Sequence, residues 1–170
     1  MRTLTEDQIQ IGSVLPELSI ELTPTMVVST ALATMDFTPV HHDTEIARAQ
    51  GSKDIFLNIL TTMGLVERYV TDWTGPEAVI RHINVKLGVP AYAGDRLSFT
   101  GTVVSREDGQ ITVEVRGKVS LGDHATGTIT FGLPEHAPRR PPRRRAGVVE
   151  RAYGHRGHRC HRVQQEVRAF

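Results

Sequence analysis

An aspartate and a histidine stand five residues apart in the segment MDFTPVHHD, residues 35–43. Pro39 lies between Asp36 and His41 and stiffens the connection, because its ring restricts φ. A carboxylate and an imidazole that face one another can hold a water molecule, so that one proton is accepted while another is delivered. The segment therefore predicts either an acid–base pair that adds water across a polarised double bond or an ordinary polar turn.

Water addition beside a thioester builds negative charge on the thioester oxygen, so the site also needs hydrogen-bond donors. Unpaired amides at the beginning of a helix are suitable donors. The longest helical pattern of the chain follows the loop, and the backbone amides of residues 57–59 near its beginning are the candidates. His42 is expected to be a bystander that is either exposed or caps the next short helix, and Asp43 is expected to cap that helix.

The elements that must position this loop follow from the hydrophobic pattern. Residues 25–33 are apolar and rich in β-branched side chains, which predicts a strand leading into the loop. Residues 44–50 predict a short helix, with Gly51 after its end. Residues 55–73 are apolar on most of a helical circumference, which predicts a long buried helix that ends before Gly75.

From residue 79 onward the apolar side chains recur with a period of two, which is the period of a strand. Asp108 and Gly109 separate two such runs, and Asp-Gly between alternating segments is a strong hairpin signal. The pattern predicts an antiparallel meander of four strands: residues 79–90, 96–105, 110–121 and 124–133.

The order of these elements predicts an α+β fold. A curved antiparallel sheet that wraps one apolar face around a single long helix satisfies the pattern, and this arrangement is the hot-dog fold. Such a sheet has exposed edges, and edge-to-edge pairing with a second subunit is the usual way to cover them. We therefore expect an oligomer.

Charge divides the chain into two parts. Residues 1–133 contain 10 basic and 16 acidic side chains, whereas residues 134–170 contain 10 arginines and 3 glutamates. The first part is predicted to be one folded domain. The second is rich in Arg, Pro and His without apolar periodicity, and we predict a disordered tail.

The tail also contains two patterns that can attract ligands. Its residues His155, His158, Cys160 and His161 lie close together, but their spacing matches no closed zinc site, so no metal is expected. The segment PRRPPRRR could attract phosphates, but no aromatic side chains are interleaved with it. A solvated basic tail without a nucleic-acid partner is therefore the prediction.

Cysteine content and hydropathy indicate the compartment. The single cysteine excludes an intrachain disulfide, which suits a reducing cytoplasm. The N-terminal residues are polar and acidic rather than typical of a signal peptide. No apolar run approaches the roughly 20 residues that span a membrane. The expectation is a cytoplasmic protein without a membrane partner.

Two other functions remain open. A hot-dog thioesterase would need a carboxylate near the central helix, where the chain offers only Glu67 and Asp72, late in the helix where the helix dipole does not favour a carboxylate. Alternatively, the chain is a non-catalytic hot-dog subunit that shapes a partner's acyl-CoA pocket. The presence of both Asp36 and His41 favours an active subunit.

The segment DFTPVHHD resembles the hydratase motif D-F-N-P-x-H-x-D of the MaoC-like (R)-specific enoyl-CoA hydratases, and VPAYAGD, residues 89–95, resembles their P-V-x-x-G-D strand entry. The resemblance covers residues 11–133. It implies a hydro-lyase with Asp36 and His41 as the catalytic pair and no cofactor, since coenzyme A is part of the substrate. Thr38 stands where Asn is usual. Asn58 stands where the family has a glycine whose backbone amide binds the thioester oxygen.

Two further segments, GSKDIFLNILTTMGLVERYVTDWTGP and LGDHATGT, resemble the small MaoC-like subunit of the actinobacterial steroid side-chain enoyl-CoA hydratases. This resemblance implies lipid degradation, with a steroid enoyl-CoA of cholesterol catabolism as substrate. It also implies a larger partner, which bears a second MaoC-like domain and a zinc-ribbon/OB-type domain. The implied assembly is an α2β2 heterotetramer.

Overall fold

Residues 3–134, the part of the chain that the computed structural model describes, form one antiparallel sheet and three α-helices. Of the predicted tail, only Pro134 lies within this part. Two short 3₁₀ turns, Glu6–Gln8 and Pro39–His41, accompany the larger elements. In chain order these elements are β1 (Leu18–Glu21), α1 (Pro24–Ala33), α2 (Thr44–Ala49), α3 (Ile59–Thr74), β2 (Val79–Leu87), β3 (Arg96–Glu107), β4 (Gln110–Val119) and β5 (Gly122–Gly132).

The sheet differs from the predicted meander in the place of one strand. β3, β4 and β5 follow one another as predicted, and Asp108 and Gly109, with φ of 50° and 70°, form the first turn. β2 instead pairs with the far side of β5, so the strand order is β1-β3-β4-β5-β2. The connection after β2, residues 88–95, is too long for a tight hairpin turn. Its Gly94 amide donates to the carbonyl of Leu22, at the opposite edge of the sheet.

The prediction of a strand over residues 25–33 was wrong, because this segment is α1. The side chain of Thr23 accepts a hydrogen bond from the amide of Met26, and Pro24 occupies the first helical position. This pair is a strong helix start and outweighs the β-branched composition. Val27 and Ala31, one helical turn apart, are the buried residues of α1.

The long helix is shorter and more one-sided than predicted. Residues 55–57 are extended, because the Leu57 amide donates to the carbonyl of Ala91 and holds this segment beside the connection after β2. α3 begins only at Ile59. One face of it is buried, and after the first turn the opposite face carries the exposed polar residues Glu67, Arg68 and Asp72, so the helix is amphipathic rather than apolar around most of its circumference. No helix within residues 3–134 is long and apolar enough to cross a membrane.

The core lies between α3 and one face of the sheet. The ring of Tyr69 in α3 stacks on that of Phe99 in β3, with centroids 5.8 Å apart. Gly101 permits this approach, because a Cβ atom there would lie 3.0 Å from the Tyr69 ring. Full burial of a large apolar side chain contributes roughly 1.5–3 kcal/mol. The central strands bury Leu97, Phe99, Val103, Ile111, Val113, Val115, Ile129 and Phe131.

One edge of the sheet is open along a long strand. β2 has nine residues and pairs only with β5 among the described strands. None of its residues is fully buried, and its apolar residues Ile80, Ile83 and Val85 are only half-buried. An edge strand of this length presents the backbone of its unpaired side to a second chain.

Candidate active site

Asp36 is placed by the end of a helix rather than by the end of a strand. α1 ends in a Schellman motif, in which the Met35 amide donates to the carbonyl of Leu32 and the Asp36 amide donates to that of Ala31. Met35 has φ of 58°, a left-handed conformation that glycine usually supplies. A side chain in this conformation costs about 1–2 kcal/mol. The chain is therefore strained directly before Asp36.

His41 is placed by the 3₁₀ turn Pro39–His41. The His41 amide donates to the carbonyl of Thr38, and the residue is 7% exposed. The ring Nδ1 lies 2.8 Å from the carbonyl oxygen of Phe56. A carbonyl can only accept, so Nδ1 carries the proton, and in the neutral ring Nε2 is an unprotonated acceptor.

The carboxylate of Asp36 lies beside this free nitrogen. Its Oδ2 is 3.4 Å from His41 Nε2 and accepts a hydrogen bond of 3.0 Å from the Asn58 side chain. Its Oδ1 accepts from the Thr38 amide at 3.2 Å. Hydrogen bonds from the side chain of Thr38 and, to a smaller extent, from that of Asn58 hold the pKa of Asp36 below its usual value. The carboxylate is therefore ionised at neutral pH.

Asp36 Oδ2 and His41 Nε2 lie side by side, and both can accept a hydrogen bond from the same molecule. When the His41 ring is neutral, neither Asp36 Oδ2 nor His41 Nε2 carries a proton, so a molecule that donates to both, such as water, matches them. The same geometry stabilises a proton that is transferred to Nε2, because the carboxylate lies next to it. The structure thus brings these two side chains together, and their arrangement suits the activation of water.

Asn58 occupies the N-cap of α3, next to the pair. Its Oδ1 accepts from the Thr61 amide at 2.9 Å, and the residue is 3% exposed. Within residues 3–134, the backbone amides of Asn58 and Ile59 donate to no acceptor. The predicted oxyanion donor at Asn58 is therefore an available N–H at the beginning of a helix.

The other predicted polar residues lie away from the pair. His42 is exposed and donates to a backbone carbonyl, and Asp43 caps α2, as predicted. Glu67 and Asp72 are exposed on α3, where Asp72 pairs with Arg68 at 3.2 Å. Among residues 3–134, no three His, Cys, Asp or Glu side chains are grouped as metal ligands would be.

Sequence reasoning missed the groups that hold the pair in place. The carbonyl of Phe56 sets the protonation of the His41 ring, and no side-chain pattern reveals a backbone acceptor. The side chain of Asn58 was missed because the helix was predicted to begin at residue 55. An Asn followed by an apolar run is an N-cap signal and could have placed the helix start correctly.

A buried histidine lies behind the N-terminal turn of α3. His124 of β5 is 2% exposed, and its Nδ1 donates to the carbonyl of Val89 at 2.8 Å. Its Nε2 lies 2.9 Å from the hydroxyl of Thr62, which also lies 3.1 Å from the carbonyl of Asn58. With Nδ1 donating, the neutral Nε2 is an acceptor, and the single proton of the Thr62 hydroxyl lies between this nitrogen and the Asn58 carbonyl. His124 thus connects the sheet to the helix turn that begins at Asn58.

The burial of His124 predicts a pH-dependent stability. Burial lowers the pKa of His124 from its usual value of 6.5, although the hydrogen bond to Val89 opposes the effect. The unfolded chain therefore binds a proton that the folded chain does not, so stability is complete above about pH 6.5 and falls as the pH falls toward the folded pKa. We expect the melting temperature to decrease between about pH 7.5 and about pH 5.5, and His124→Gln to reduce that slope.

The matched control for this measurement is His42→Gln, which changes an exposed imidazole. It is expected to retain the slope of the unmodified chain. Equal slopes for His124→Gln and the unmodified chain would assign the pH dependence to other groups.

Comparison with known proteins places this hot-dog domain in a family. The MaoC like domain family matches residues 8–124. Over 123 residues the chain is 58% identical to the 3-oxo-4,17-pregnadiene-20-carboxyl-CoA hydratase beta subunit of Mycobacterium tuberculosis, and the match covers 72% of this chain and 95% of that protein. The chain belongs to the MaoC-like family.

Solved structures agree with this assignment. The ChsH1–ChsH2 complex from Mycobacterium tuberculosis contains a chain that is 57% identical, with a TM-score of 0.72, over 74% of this chain and 98% of that one. The (R)-hydratase of A. caviae involved in PHA biosynthesis is 21% identical, with a TM-score of 0.69 and the same two coverages, and shares the fold. The predicted hot-dog fold is confirmed.

Proposed function

We propose that this chain is the catalytic subunit of an enoyl-CoA hydratase that adds water to a steroid side-chain 2-enoyl-CoA. The observation that carries the proposal is the 3.4 Å approach of His41 Nε2 to Asp36 Oδ2, with His41 Nδ1 already engaged by a carbonyl. The 58% identity to a steroid acyl-CoA hydratase subunit supports the substrate class.

The proposed reaction begins with a water molecule held between Asp36 and His41. His41 Nε2 accepts one proton of the water, and the neighbouring carboxylate stabilises the resulting imidazolium. The hydroxide oxygen forms a bond to Cβ of the enoyl group, and the electron pair of the double bond moves through Cα to the thioester oxygen. The amide of Asn58 donates to this enolate oxygen. Transfer of the proton from the His41 imidazolium to Cα, as the enolate collapses, gives the 3-hydroxyacyl-CoA with the (3R) configuration typical of the family that the motif resembles, and returns His41 to its neutral form.

The surface around the pair suits a bulky apolar ligand or a second subunit. Met35 and Phe37 flank Asp36 and are 73% and 59% exposed, while Ile59 and Leu60 follow Asn58 and are 48% and 50% exposed. Large apolar side chains that are exposed together beside a polar site mark a surface that another molecule covers. A steroid acyl group and a partner subunit are the two molecules that the proposal requires.

The proposed partner is a larger MaoC-like subunit with a zinc-ribbon/OB-type domain, in an α2β2 heterotetramer. The name of one relative as a beta subunit and the two-protein complex that contains another support a heteromer. The open edge of β2 supplies a surface for such pairing.

The test of substrate class compares two thioesters. We expect the chain, together with its partner, to hydrate 3-oxo-4,17-pregnadiene-20-carboxyl-CoA faster than the short crotonyl-CoA, measured as the loss of enoyl-thioester absorbance. Binding energy from remote parts of a substrate increases the rate of its reaction, so a site built for a steroid gains little from a four-carbon chain. Faster turnover of crotonyl-CoA would contradict the steroid as substrate and would indicate a hydratase of general fatty acyl-CoA thioesters. Release of free thiol instead of hydration would support a thioesterase.

A further inference from the structure

We infer that the side chain of Asn58 is the positioning residue of the acid–base pair, and that it joins the carboxylate of Asp36 to the helix end that carries the oxyanion donor. This inference rests on the proposed function. It concerns the side chain of Asn58, whereas the oxyanion role concerns the backbone amide of the same residue.

The orientation of the Asn58 amide group follows from its partners. The Thr61 amide can only donate, so the atom 2.9 Å from it is the oxygen of Asn58. The nitrogen must then point the other way, where it lies 3.0 Å from Asp36 Oδ2 and 2.8 Å from the hydroxyl of Thr34. The acceptor and both donors of the side chain are thus engaged, and at 3% exposure the group has little freedom to turn.

This contact selects the oxygen of Asp36 that faces His41. Asn58 donates to Oδ2, the same atom that lies 3.4 Å from His41 Nε2, while the Thr38 amide holds Oδ1. The carboxylate is therefore fixed at both oxygens and cannot rotate away from the imidazole. A donor to Oδ2 also favours the ionised form, which accepts a hydrogen bond from water and stabilises the imidazolium of His41.

The same side chain couples the two halves of the reaction. Its oxygen caps α3 and so fixes the first turn of the helix, whose unpaired amides face the enolate oxygen in the proposed reaction. Its nitrogen fixes the carboxylate that helps to activate water. A glycine at this position would retain the backbone amide but would lose both contacts, so the role belongs to the asparagine.

Two variants separate positioning from capping. Asn58→Ser retains a cap acceptor for Thr61 but has no donor that reaches Asp36. Asn58→Asp also retains the cap but places a second carboxylate against Asp36. A matched control, Thr23→Ala, removes the N-cap of α1, away from the pair. It measures what a lost cap alone does to the melting temperature.

The readouts are the titration of the Asp36 carboxyl, followed by ¹³C NMR in the full-length chain, and the pH dependence of kcat/KM for the steroid enoyl-CoA. We expect Asn58→Ser to lower kcat about ten- to hundredfold, the factor usual for a hydrogen bond to a charged group. We expect Asn58→Asp to move the Asp36 titration and the acid limb of the profile upward by at least about one pH unit, because like charges disfavour ionisation. Thr23→Ala should change neither the Asp36 titration nor the pH profile of kcat/KM.

The outcomes distinguish this inference from the function on which it rests. If Asp36→Asn is inactive while Asn58→Ser and Asn58→Asp keep the titration and the pH profile of the unmodified chain, the positioning role is wrong and the hydratase remains. If Asp36→Asn itself keeps full activity, the proposed function fails. The NMR titration still decides in that case whether Asn58 controls the ionisation of Asp36.

Discussion

Asp36→Asn and His41→Ala are each expected to lower kcat/KM for hydration by roughly 100- to 10,000-fold, the range in which general acid–base groups contribute. The structure explains why no neighbouring side chain can take over the role of either residue. His41 Nε2 is free to accept a proton because Nδ1 donates to the carbonyl of Phe56, and Asp36 is the carboxylate beside that nitrogen. The assay is the loss of enoyl-thioester absorbance, with the melting temperature measured for each variant.

The chain contains its own control for this experiment. His42 follows His41 directly, but its ring is exposed and donates to the carbonyl of Phe37 rather than facing Asp36. His42→Ala is therefore expected to retain the rate of the unmodified chain. Near-normal rates for both Asp36→Asn and His41→Ala would contradict the assignment and would favour a non-catalytic subunit.

Co-expression with the proposed larger subunit is expected to convert a poorly soluble chain or weakly active homodimer into a tight and fully active complex. The physical reason is the surface that residues 3–134 leave open: the unpaired side of the nine-residue edge strand β2, and large apolar side chains beside Asp36. An obligate contact of this kind buries well over about 1,000 Å² in total. Light scattering with and without the partner measures the assembly.

A pair of surface variants tests where the partner binds. Leu60 is 50% exposed in the first turn of α3, where a glutamate is compatible with the helix dipole, and Val104 is 43% exposed in β3. We expect Leu60→Glu to weaken the complex and Val104→Glu to leave it intact. A stable, fully active homodimer without affinity for the larger subunit would overturn the heteromer.

Local patterns were sufficient for much of the fold. The period-two alternation identified β2 to β5, and Asp43 and Gly51 correctly bounded α2, because these signals act within a few residues. α1 was missed because its β-branched residues were given more weight than Thr23 and Pro24, whose capping effect is also local. Hence this error was one of interpretation, and the information was present in the sequence.

The place of β2 and the start of α3 depended on distant partners. β2 lies against β5 because the following connection returns to Leu22, and residues 55–57 are extended because Leu57 bonds to Ala91. Neither partner is close in the sequence. A pattern read along the chain cannot include hydrogen bonds between segments that meet only after folding.

The sequence by itself determined that an aspartate and a histidine lie in one stiff loop, and its motif pointed to the MaoC-like family. Only the tertiary structure decided how they work together. The carbonyl of Phe56 sets the His41 proton, and the Asn58 side chain comes from 22 residues away to hold Asp36. The physical reason is that ionisation and orientation depend on the groups packed around a side chain, and folding alone brings those groups together.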